Sequence, residues 1–124
     1  MKKSAPKLLI IDDDDYCLDI LEEVLDDDYH LYRAKSGEEA LLLMPTINPV
    51  LILLDINMEN INGYETCRHI RKSEHLKNTK IIMLTASAMN GDKVKGIEAG
   101  ADAYLTKPID FEILLSTIKY YVAA

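Results

Sequence analysis

A chain of 124 residues with 48% hydrophobic content carries enough apolar material for one domain with a buried core, which excludes a disordered segment. Its formal net charge of -7 argues against direct binding to nucleic acid or to an anionic membrane surface, since both reward clustered Lys and Arg. No apolar stretch approaches the ~20 residues of a membrane span, and Met1 to Pro6 leads into a strand rather than a signal-peptide core, so a cytoplasmic protein with protein partners is expected.

The first apolar run, Leu8 to Ile11, reads as a strand and ends at Asp12-Asp13. Cys17, Ile20, Leu21, Val24 and Leu25 then recur at helical spacing, with Asp14 or Asp15 as the cap. His30 to Ala34 reads as a short second strand. Ser36 with Glu39 forms a capping box before Ala40, Leu41 and Met44, and Pro45 is expected to end that helix. Val50 to Leu54 is the third strand, ending at Asp55. A loop to Gly63 and a helix with Cys67 and Ile70 inward follow, then a polar connection from Ser73 to Thr79. The fourth strand, Ile81 to Leu84, ends at Thr85. A helix carrying Val94 and Ile97 comes next, and Gly100 stands where a left-handed C-cap belongs. Asp102 to Leu105 is a fifth strand, running through Thr106 into Lys107-Pro108. Asp110 can cap a last helix with apolar positions Phe111, Leu114, Leu115, Ile118 and Val122. Strand and helix thus alternate five times, and the near-continuous apolar third and fourth runs suit strands buried on both faces. The expected fold is a doubly wound α/β sandwich over residues 1–124 as a single domain.

If the runs are parallel strands of one sheet, Asp12, Asp13, Asp55, Thr85 and Lys107 converge at its carboxyl edge, where open α/β sheets bind ligands. Three carboxylates crowded against one ammonium are costly at low dielectric, and a bound Mg²⁺ relieves the excess. Each residue has a plainer reading alone: an acidic run starting a helix, a threonine cap, a surface lysine. Only their company at neighbouring strand ends favours the site. A calcium loop of the EF-hand kind fails, because its sixth position wants glycine and is Cys17 when counted from Asp12. Cys17 and Cys67 have no paired metal spacing and fall among apolar helix positions, which predicts reduced core thiols. His30, His69 and His75 show no ligand spacing and are assigned surface or packing roles.

Asp12-Asp13, Asp55, Thr85, Tyr104 and Lys107-Pro108, in that order after or within successive strands, resemble the response-regulator receiver domain of two-component signalling over nearly the whole chain. The resemblance implies a flavodoxin-like five-stranded parallel sheet of order 2-1-3-4-5, the family's chemotaxis member being a standing example of that order. It implies Asp55 as phosphoacceptor from a histidine kinase or phosphotransfer protein. It further implies Mg²⁺ on Asp12, Asp13, Asp55 and the backbone carbonyl of Asn57, with Thr85 and Lys107 contacting the phosphoryl group. Thr85 and Tyr104 are the implied switch pair, and a cis peptide is implied before Pro108. The output face is that of the fourth helix, fifth strand and fifth helix, for a downstream protein or a phosphorylation-dependent homodimer. Asn57 and Ser87 are expected to flank the path of the water that removes the phosphate. The chain is expected to catalyse only its own phosphorylation and dephosphorylation.

One departure is Glu59, directly after Met58, where the family commonly carries proline. The four-aspartate run also admits Asp13-Asp14 as the acting pair, although the apolar face beginning at Cys17 favours Asp12-Asp13. A rival class is the aspartate-nucleophile phosphatase of the haloacid-dehalogenase kind. Asp12 and Asp14 match its spacing, while Tyr16 and the short chain speak against it. A pseudo-receiver, never phosphorylated, usually lacks site residues, and none is missing here.

Overall fold

The computed structural model of this chain describes residues 5–56, 63–86 and 90–123, with the backbone alone at 90–92. The elements run β1 (Lys7–Ile11), α1 (Asp15–Leu25), β2 (His30–Ala34), α2 (Gly37–Ile47), β3 (Leu51–Asp55), α3 (Gly63–Lys72), β4 (Lys80–Thr85), α4 (Asn90–Ala99), β5 (Ala103–Thr106) and α5 (Phe111–Ala123). A short 3-10 turn, Glu74–Leu76, joins α3 to β4. All strand pairs are parallel, in the order β2-β1-β3-β4-β5.

Strand alternation divides the core in two. Leu9, Ile11, Ile52, Leu54, Ile81 and Met83 face α2, α3 and α4, whereas Leu8, Ile10, Leu51, Leu53, Ile82 and Leu84 face α1 and α5. Every residue of β3 is buried, as a central strand covered by helices on both sides requires. Each such aliphatic side chain contributes roughly 1.5–3 kcal/mol on leaving water, so the three inner strands carry much of the hydrophobic stabilisation.

The helix ends follow local chemistry. Asp14 caps α1 by accepting from the Tyr16 N–H at 3.0 Å, Ser36 caps α2 through the Glu39 N–H at 3.0 Å, and Asp110 accepts from the Glu112 N–H at 3.0 Å at the start of α5. Gly100 lies at φ +112, the positive region foreseen for it.

Four expectations are corrected. Pro45 lies inside α2 rather than ending it. Within the last turn its ring forfeits only one backbone bond, and Asn48, left-handed at φ 51, closes the helix by donating to the Met44 carbonyl at 2.8 Å. In α1 it is Leu18, Leu21 and Leu25 that are fully buried, with Cys17 half-buried, so only Cys67 is a core thiol. In α4 the buried positions among the described residues are Gly96 and Ala99, while Val94 and Ile97 are 53% and 57% exposed. In α5 the sheet takes Leu114 and Ile118 and leaves Phe111 and Leu115 exposed.

Candidate functional site

The carboxyl ends of β1 and β3 lie side by side, since Ile11 pairs with Leu54, and so Asp12 and Asp55 leave adjacent strands together. The Asp12 N–H donates to the Ala34 carbonyl at 3.0 Å and the Ile56 N–H to the Leu84 carbonyl at 3.2 Å, which continues the ladder one residue beyond each strand. By alternation Asp12 follows Ile10 and Asp55 follows Leu53, placing both carboxylates toward the α1 and α5 side. Lys107 reaches them from the end of β5, where its N–H donates to the Thr85 carbonyl at 2.6 Å and its peptide bond to Pro108 is cis. Its ammonium lies 3.5 Å from Asp55 Oδ2 and 4.0 Å from Asp12 Oδ2.

Carboxylate oxygens of Asp12, Asp13 and Asp55 come within 4.8 Å of one another, Asp12 and Asp55 buried and Asp13 exposed. Burial pushes the Asp12 carboxyl up to about 6. The Asp14 N–H, donating to Asp12 Oδ1 at 2.9 Å, and Lys107 oppose that rise, while the neighbouring Asp55 adds to it. Asp12 Oδ2 is buried without a hydrogen-bond partner among the described residues. A donor set made only of oxygens, with excess negative charge and one unsatisfied buried oxygen, suits a hard divalent cation such as Mg²⁺.

The acidic run is divided by role. Asp12 and Asp13 enter the cluster, Asp14 caps α1, and Asp15 pairs with Lys35 at 3.1 Å. Asp14 is thereby occupied by the helix, which removes the spacing that a dehalogenase-type reading needs. Thr85 is buried at the end of β4, on the face shared by Met83 and, across the β4–β5 pair, by half-buried Tyr104. The foreseen switch pair therefore shares one face of the sheet. Asn57, Met58, Glu59 and Ser87 lie outside the described residues.

Several contributors escaped the sequence reading. Gly63 fits so closely against the end of β3 that a Cβ there would stand 2.4 Å from Ile56 Cα and 2.9 Å from the Asp55 carbonyl oxygen. Its place at the end of the loop after Asp55 was the available signal. A cavity of about 200 Å³ opens beside Asp12 and Lys107, lined by Cys17, Ile20, Leu84, Ile109 and Phe111 among others, and gives the site an apolar approach between α1 and α5. Burial, helped by the charge of Asp12, raises the Cys17 thiol, and burial holds Cys67 at about 11, so neither is an activated nucleophile. His30 stacks on Tyr32 with ring centroids 5.2 Å apart, a surface packing role.

Known proteins with this arrangement are many. Among curated sequences, the chain is 35% identical over 115 residues to the DNA-binding dual master transcriptional regulator RpaA of Synechocystis, covering 92% of this chain and 48% of that protein. It is 41% identical over 115 residues to the transcriptional regulatory protein AfsQ1 of Streptomyces coelicolor, covering 92% and 50%. The chain thus spans about half the length of the curated relatives it matches. Among solved structures, a response regulator from Chloroflexus aurantiacus superposes with a TM-score of 0.92 at 38% identity, covering 98% of this chain and 100% of that one. The chemotaxis protein CheY4 of Vibrio cholerae does so with a TM-score of 0.91 at 30% identity, covering 95% and 99%. The family profile of the response regulator receiver domain matches residues 8–119, and with the sheet order and the grouped aspartates this chain belongs to that family of phosphorylation-activated signalling domains.

Proposed function

We propose that residues 1–124 act as one receiver domain that takes a phosphoryl group on Asp55 from the phosphohistidine of a kinase or phosphotransfer protein and loses it by hydrolysis. The observation that carries this reading is the meeting of buried Asp12 and Asp55 with exposed Asp13 and the Lys107 ammonium at one sheet edge. Asp55 is the nucleophile because its carboxylate ends the wholly buried central strand and is held beside the cation. Asp12, Asp13, Asp55 and the backbone carbonyl of Asn57 would hold Mg²⁺, which supplies the positive charge that lets an anionic phosphoryl group approach a carboxylate. Lys107 pairs with an oxygen of the arriving phosphoryl group. The Thr85 hydroxyl donates to another once the group is on Asp55. Drawing Thr85 toward the acceptor frees space on the shared face, and Tyr104 turns into it.

The output is the α4, β5 and α5 surface, where Val94 and Ile97 stand exposed. Its occupant in this reading is a downstream protein or a second copy of the chain, in the cytoplasm, without direct contact to nucleic acid or membrane. Among the described residues no helix is long and apolar enough to cross a membrane. RpaA is named as DNA-binding, and this chain spans 48% of it, so DNA binding is not carried over.

Incubation with acetyl phosphate and Mg²⁺ should add one phosphate by intact mass, and Asp55→Asn should add none. Full labelling of the variant would overturn the assignment.

A further inference from the structure

α3 begins on Gly63, and backbone conformation gives no reason for a glycine there. Among the described residues Gly100 is the one glycine at positive φ, and glycine in a helix is less favourable than alanine. The reason is closeness. A Cβ at position 63 would overlap Ile56 Cα and stand 2.7 Å from Ile56 Cγ2 and 2.9 Å from the Asp55 carbonyl oxygen. Two of these three atoms are backbone, so no side-chain rotation clears the space, and carbon atoms settle about 3.5–4.0 Å apart. Both sides of the contact are anchored. Ile56 is buried, its N–H donates to the Leu84 carbonyl at 3.2 Å, and its carbonyl accepts from the Gly63 N–H at 3.4 Å. Cys67 and Ile70 hold α3 in the core. The chain between Ile56 and Gly63 therefore leaves and returns at one point, directly after Asp55.

We propose that Gly63 is a positioning residue of the acidic site: its bare Cα lets the start of α3 close on the end of β3, and this closure fixes where Asp55 and the chain after it stand relative to Asp12 and Lys107. A methyl group at 63 demands a displacement on the order of 1 Å. Either direction of yielding reaches the site. Movement of β3 carries Asp55 itself, and movement of α3 carries the far end of the segment that holds Asn57. Working geometries at such sites are held within about 0.5 Å, and Mg²⁺ accepts little departure from its octahedron, so a shift of that size is felt. The consequence for metal and phosphoryl transfer rests on the function proposed above, while the overlap at position 63 does not. Gly63 acts through the backbone of Asp55 and Ile56, with no side chain of its own to touch metal or phosphoryl group.

The experiment compares wild type, Gly63→Ala and Gly100→Ala by amide NMR, in chelator and along a Mg²⁺ titration, with the rate of labelling by acetyl phosphate measured beside it. Gly100→Ala controls for lost stability, because its φ of +112 and the Arg71 side chain oppose a Cβ at the opposite edge of the sheet. In chelator, Gly63→Ala should shift the Asp55, Ile56 and Leu84 amides, and Gly100→Ala should leave them in place. Gly63→Ala should weaken Mg²⁺ binding roughly tenfold or more, and slow labelling further at limiting than at saturating Mg²⁺. Gly100→Ala should bind and label as wild type does. If Gly63→Ala does not fold, the double variant Ile56→Ala/Gly63→Ala, which lacks the Cγ2 overlap, is set against Ile56→Ala with the same shifts and the same loss expected. Unmoved amides or unchanged Mg²⁺ binding in a folded variant would overturn the positioning role. An equal loss in Gly100→Ala would do so by tracing the effect to stability, and failure of both Gly63 variants to fold by making the glycine a requirement of the fold. Absence of labelling or of Mg²⁺ binding in wild type would strike the proposed function, with the chelator spectra still deciding whether Gly63 positions Asp55.

Discussion

Arg71 and Lys107 each bring a cation to a carboxylate beside the end of a strand, and the two corners are fastened very differently. The Arg71 guanidinium lies 2.7 Å from Asp102 Oδ2 and donates to the carbonyls of Gly100 at 2.8 Å and Thr79 at 2.6 Å, while Asp102 Oδ2 also accepts from the Ile81 N–H at 2.8 Å. One fork of donors thus ties α3 to the approaches of β4 and β5. At the opposite edge Lys107 stands 3.5 Å and 4.0 Å from two buried carboxylates, and Asp12 Oδ2 has no hydrogen bond among the described residues. The Arg71 corner is satisfied within the chain, and its worth is structural. Among the described residues the Lys107 corner holds more negative than positive charge, and in the proposed reading a divalent cation balances it, at a cost in stability while the metal is absent.

The contrast predicts different losses. The largest belongs to the acidic edge: Asp13→Ala should abolish Mg²⁺-dependent labelling by acetyl phosphate, measured by intact mass, while the metal-free protein melts no lower than wild type. A large fall in metal-free stability would mean that Asp13 is chiefly structural. At the other corner Arg71→Ala takes one donor from Asp102, which keeps the Ile81 N–H, and one each from the Gly100 and Thr79 carbonyls, and roughly 2–4 kcal/mol of stability should be lost in urea titration. Its labelling, measured while folded, should persist. Lys107→Ala should show the reverse pattern, with slow labelling and little change in stability. Similar stability losses for both cations would erase the distinction.

The pH dependence tests the same excess charge. The Asp12 carboxyl stands at about 6 in the metal-free fold against an ordinary 3.8, a gap that corresponds to roughly 3 kcal/mol at most. With the folded value raised, this group's contribution is fully present below 3.8 and is lost as pH rises through 6. Asp12→Asn should therefore gain little at pH 4 and most at pH 8, in denaturant titrations without metal. The smallest effect is conformational: Thr85→Ala, saturated with beryllofluoride, should confine NMR shifts to the neighbourhood of Asp55, whereas wild type carries them to Tyr104 and α4. Matching spectra across α4 would remove Thr85 as the coupling element.

The gathering of Asp12, Asp13, Asp55 and Lys107 was legible because each follows an apolar run, and parallel order carries such ends to one edge. The inner strands were legible for the same reason, being apolar throughout. Helix faces were less so. In α4 the large residues Val94 and Ile97 mimic a buried stripe, yet among the described residues it is Gly96, close over Met83 and Tyr104, and Ala99 that are buried. Pro45 reads as a stop but falls where a helix has only one more bond to lose. The Arg71–Asp102 tie joins residues 31 apart in sequence, and no local pattern announces a pairing made by the fold itself.

The most direct measurement sets the melting of wild type beside that of Asp12→Asn at pH 8, each with chelator and with saturating Mg²⁺. The acidic edge as described predicts that wild type melts lower than the variant in chelator and higher in Mg²⁺, since only the intact carboxylate set gains the full free energy of metal binding. A variant that melts below wild type in both conditions would contradict it, by showing that Asp12 stabilises the fold without a cation.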